Sequence, residues 1–97
     1  MITYSLVLCA KGDVFLFGLA GPKILPVWTP YLGTSLDCIL NLFLNQESHI
    51  LRFEDKAELE KFIKKPDKLF KMGFKFQDQV SSYKNQFVAL YKKLSGL

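Results

Sequence analysis

The chain has 97 residues, of which 49% are hydrophobic, 14% aromatic and 23% charged, with a formal net charge of +4. That length holds one hydrophobic core and no second, and nine Phe, four Tyr and one Trp exclude an intrinsically disordered chain, which lacks such surface to bury. Two cysteines and six glycines exclude a disulfide-dense scaffold and a collagen repeat.

Residues 1–97 therefore read as a single domain. Ile2, Tyr4, Leu6 and Leu8 alternate with Thr3, Ser5, Val7 and Cys9, the period of a strand with one strongly apolar face. This apolar start has no basic lead-in and no small-residue cleavage site, so it reads as a strand and not as a secretion signal. Lys11-Gly12-Asp13 supplies a turn, and Val14 to Leu19 is a strand apolar on both sides, as a central strand would be. Ala20 to Lys23 turns the chain into a third strand, Ile24 to Thr29. Pro26 cannot donate a ladder hydrogen bond, which places that strand at a sheet edge.

After Pro30 and Gly33 the period changes. Leu36, Ile39, Leu40, Phe43 and Leu44 form one helical stripe, with Thr34 expected as its N-cap. His49 to Phe53 reads as a short strand, and Asp55 caps a second helix whose buried side is Leu59, Phe62 and Ile63 and which Pro66 ends. A further helical turn is expected between Pro66 and Gly73, then a brief strand or extended pass at Phe74 and Phe76. Val80, Tyr83, Phe87, Leu90, Tyr91 and Leu94 line the last helix, and Lys92 and Lys93 favour its C-terminal dipole. The order β-β-β-α-β-α-(β)-α predicts an α+β fold: a mostly antiparallel sheet of about four strands with three helices on one face.

The sequence offers no constellation for catalysis and calls for no cofactor or metal. His49 is the only histidine, and Cys9 and Cys38 belong to no C-x-x-C pair. Cys9, Cys38 or Ser35 beside His49 would make a nucleophile and base, yet no nucleophile elbow or glycine-rich phosphate loop accompanies them. Reduced cysteines packed as small hydrophobes in a cytoplasmic protein are the expected state, with a single disulfide as the alternative. The longest uncharged stretch, Ile24 to Leu36, is shorter than the ~18–20 residues of a membrane span.

Two segments remain as binding candidates. In Pro26-Val27-Trp28-Thr29-Pro30-Tyr31 the only Trp and a Tyr are held among prolines at the end of the presumed edge strand. Aromatic anchors of this kind serve protein interfaces, so Pro26, Trp28, Pro30 and Tyr31 are expected to contact a partner protein. The alternative use of Trp28 is to pack the first helix onto the sheet. The second segment is basic: Lys61, Lys64, Lys65, Lys68, Lys71 and Lys75 are offset only by Asp67. It suits an acidic partner or a nucleic acid, although Arg52 is the only arginine and bidentate phosphate recognition is correspondingly scarce. A solvated lysine face is the plainer reading.

Ile24-Leu25-Pro26-Val27-Trp28-Thr29, followed by the stretch from Leu51 through Glu58-Leu59-Glu60-Lys61-Phe62, resembles the pattern of SseB-type and similar small bacterial domains of unknown function. The resemblance covers about a quarter of the chain. It implies a non-enzymatic α+β module for protein interaction and brings no site residues with it. The expected function is thus a protein-binding adaptor, regulator, or inhibitor or immunity-type factor, and the alternative is a nucleic-acid-binding accessory protein using the basic segment.

Overall fold

Strands with apolar side chains on both faces need a layer on each side, and that requirement organises the molecule. The computed structural model describes residues 2–31 and 33–96. Strands β1 (Thr3–Cys9), β2 (Val14–Ala20), β3 (Lys23–Trp28) and β4 (Ser48–Phe53) form one antiparallel sheet in the order β3-β2-β1-β4. Helices α1 (Leu36–Leu44), α2 (Lys56–Lys64) and α3 (Val80–Ser95) complete the expected α+β fold. No helix among the described residues is long and apolar enough to cross a membrane.

The register sorts the side chains. Leu6 and Leu8 of β1 share a face with Val14 and Leu16 of β2, and that face packs on Leu59, Ile63, Tyr83, Phe87, Leu90 and Leu94 of α2 and α3. Val7, Cys9, Phe15 and Phe17 point the other way and are covered by Leu36, Ile39, Leu40 and Phe43 of α1. The expectation of three helices on one face is therefore corrected: α1 lies on the face opposite α2 and α3. An uncovered second face would have left two phenylalanines in water, each worth roughly 1.5–3 kcal/mol on burial.

The middle of the chain also departs from expectation. The α1 N-cap is Ser35 and not Thr34; its hydroxyl accepts from the Cys38 N–H at 3.4 Å. Asp55 caps α2 as expected, accepting from the Ala57 N–H at 3.0 Å. The expected turn after Pro66 is a single 3-10 turn at Pro66–Lys68. The optional strand at Phe74 and Phe76 does not form. Gly73, at φ 107°, turns the backbone there, and the Phe74 ring packs edge-on against Phe70 and Phe76, at 5.3 and 5.8 Å between centroids.

Candidate functional site

Pro26 lies on an edge strand, as its missing N–H requires, and the register shows how the strand accommodates it. The Cys9 N–H donates to the Asp13 carbonyl, which makes the odd residues of β1 and β2 the pair that exchange hydrogen bonds. The even residues of β2 then bond to β3, pairing Ala20 with Lys23 and Gly18 with Leu25. Ile24 and Pro26 aim their backbone groups outward, so the proline costs the ladder no bond. A bulge follows, with Val27 of β3 unpaired between the Phe17–Pro26 and Leu16–Trp28 pairs, and β3 ends.

Past that end, Val14 has no strand opposite it. Its N–H donates instead to Gln86 Oε1 of α3 at 2.9 Å, while Gln86 Nε2 donates to the Gly12 carbonyl at 2.6 Å and to Ser82 Oγ at 3.0 Å. Ser82 Oγ donates to the same Gly12 carbonyl at 2.8 Å. The β1–β2 turn is thereby fastened to α3, and Gly12 sits there at φ 100°.

The chain leaving β3 wraps over this fastened turn. Trp28 is half-buried and packs against the core cluster that the sheet shares with α2 and α3, while Ile39 of α1 lines the same groove. Tyr31 falls on the opposite face: its ring stacks on Phe15 at 6.1 Å between centroids and its hydroxyl donates to Asp13 Oδ2 at 2.8 Å. That hydrogen bond raises the Tyr31 phenol above its ordinary range. Pro26, Trp28 and Tyr31 line one groove of about 240 Å3, joined by Val27, Ile39 and Lys93. Pro30 is exposed beside it. The structure thus brings three of the four expected residues to a common groove. Asp13 and Lys93 are additions that no spacing in the sequence signals, because they lie in a distant turn and in the last turn of α3.

The basic segment is distributed over several elements. Lys61 and Lys64 are on α2, Lys65 is its C-cap, Lys68 ends the 3-10 turn, and Lys71 and Lys75 lie in the following turns. Lys75 pairs with Glu47 at 3.0 Å, and Asp67 is held by Lys84 at 3.2 Å. The Lys64 ammonium lies 4.9 Å from the centre of the Tyr91 ring. Lys61, Lys65, Lys68 and Lys71 are exposed and form no ion pair among the described residues.

The thiols and the imidazole are kept apart. His49 stands on the α2–α3 side of the sheet, opposite Leu8, with its ring edge-on to Phe74 at 5.6 Å. Cys9 is buried on the other side under α1, and Cys38 is exposed on α1 itself. Burial, aided by the Asp13 charge, pushes the Cys9 thiol up to about 12. The sheet separates both sulfurs from His49, and the pairings considered from the sequence are not assembled. No family model matches the chain, and no curated protein or solved structure matches it either.

Proposed function

We propose that the chain is a small protein-binding module, of adaptor, regulator or inhibitor type, that engages its partner at the end of β3. The observation that carries this reading is Tyr31, held by a ring stack and a 2.8 Å hydrogen bond yet 37% exposed, beside exposed Pro26 and Pro30. An aromatic fixed in place at the surface binds with little further loss of conformational entropy, which is how interface anchors gain affinity. The resemblance of the β3 and α2 segments to SseB-type domains points in the same direction.

Affinity capture from native extract, with and without nuclease, tests the proposal. A nuclease-resistant protein partner whose retention falls at least tenfold with Tyr31→Ala is the expected result. Equal retention by a folded Tyr31→Ala variant removes the site. The second reading, nucleic-acid binding, is supported by Lys61, Lys64, Lys65, Lys68 and Lys71, which are exposed and outside the ion pairs among the described residues. It expects capture that nuclease abolishes, that weakens steeply with salt, and that a Lys64, Lys65 and Lys68 charge reversal eliminates.

A further inference from the structure

Both outer strands of the sheet are edges, but their hydrogen-bonding groups differ. On β3 the outward residues are Ile24 and Pro26, so one of two donors is missing and a bulge follows at once. On β4 the alternation runs the other way. The Ala10 N–H donates to the Glu47 carbonyl, and the register continues this pairing through His49 with Leu8, Leu51 with Leu6 and Phe53 with Tyr4. Ser48, Ile50 and Arg52 consequently aim every N–H and C=O away from the sheet. None is proline, no other backbone group among the described residues bonds to them, and the Ile50 side chain between them is 52% exposed.

We propose that β4 pairs with β4 of a second copy of this chain, antiparallel about Ile50, to give a continuous eight-stranded sheet. The strand is complementary to itself in that register. Ile50 faces Ile50, and Ser48 faces Arg52 on either side, which forms about six backbone hydrogen bonds. The two arginines stand four strand positions apart, about 14 Å, beyond the ~8 Å screening length at physiological salt. The two-fold axis is normal to the sheet, so both copies of α2 lie on the same face and run antiparallel. Each α2, packed against β4 after the turn at Glu54 and Asp55, exposes Glu54 and Glu58 toward its N-terminal end and Lys61 and Lys65 toward its C-terminal end. Antiparallel apposition sets the acidic end of each copy against the basic end of the other, and this charge match favours a second copy over an unrelated strand. A single strand pair about 20 Å long, with only the two α2 helices beside it, falls at the small end of protein interfaces, and a reversible dimer with a dissociation constant on the order of micromolar is expected.

Sedimentation equilibrium of the full chain at about 5–500 μM is the test. Wild type is expected to pass from monomer to dimer across that range. Ile50→Pro is expected to stay monomeric while keeping its fold, because the outward position on β3 already holds a proline; Ile50→Lys gives the same readout should the proline variant not fold. Glu58→Lys is expected to raise the dissociation constant at least threefold, and Tyr31→Ala to leave it unchanged, which separates this surface from the groove at the end of β3. A wild-type chain that is monomeric throughout, or a dimer that both Ile50 variants leave intact, overturns the proposal.

Discussion

The two cysteines share a side chain and differ in everything that governs its chemistry. Cys9 is closed off between the sheet and α1, and burial pushes its thiol up to about 12, which keeps it protonated and unreactive at pH 8. Cys38 stands exposed on the first turn of α1. Iodoacetamide at pH 8 is expected to label Cys38 alone in the native protein and both cysteines after denaturation, as read by mass spectrometry. Rapid labelling of Cys9 without denaturant would contradict its burial. Tyr31 makes a parallel point at the candidate site, since the sequence singled out its identity and surroundings, whereas its partners Asp13 and Phe15 come from the preceding hairpin.

At the level of elements, the joints matter more than the interiors. The strands and helices were largely legible because alternation and the 3.6-residue stripe are local patterns. Examples are Ile2 to Leu8 and the run from Val80 to Leu94. The join between the β1–β2 turn and α3 was not legible. Gln86 supplies the partner that Val14 lacks where β3 ends, and nothing near residue 86 announces the need. Gln86→Ala leaves the Val14 N–H without that acceptor and the Gly12 carbonyl with one donor fewer. A loss of about 1–3 kcal/mol is expected, measured by urea unfolding. Gly12→Ala should act at the same joint, since an added Cβ would lie 2.5 Å from Gln79 Oε1 at a φ of 100°.

For the molecule as a whole, the two-sided core links stability to pH. The Tyr83 hydroxyl donates to the Cys9 carbonyl from within the α2–α3 core, and burial raises its phenol above the ordinary value of 10.0. Cys9 is raised from 9.0 on the other face. Both groups hold their protons more tightly when folded, so their contribution is complete below about pH 9 and is lost as pH rises, first through Cys9 and then through Tyr83. Urea midpoints are expected to be flat from pH 7 to 8.5 and to fall above pH 9. Tyr83→Phe should lower the unfolding free energy at pH 7 by about 1 kcal/mol and reduce the loss above pH 10. A midpoint independent of pH up to 11 would contradict this account.

The sequence by itself determined the four strands and three helices, the edge position of β3, and the segment from Pro26 to Tyr31 as a candidate contact, because each follows from local chemistry: a repeat of polarity, a missing N–H, a cluster of aromatics. It even carried the clue to a second layer in the two-sided apolarity of β2. Only the tertiary structure decided that α1 occupies that layer, that Lys93 joins the groove and Asp13 holds Tyr31 beside it, and that β4 is the edge whose hydrogen bonds remain unspent. Those outcomes depend on register and on contacts between residues far apart in the chain, and the chain acquires them only when its two apolar faces are buried together.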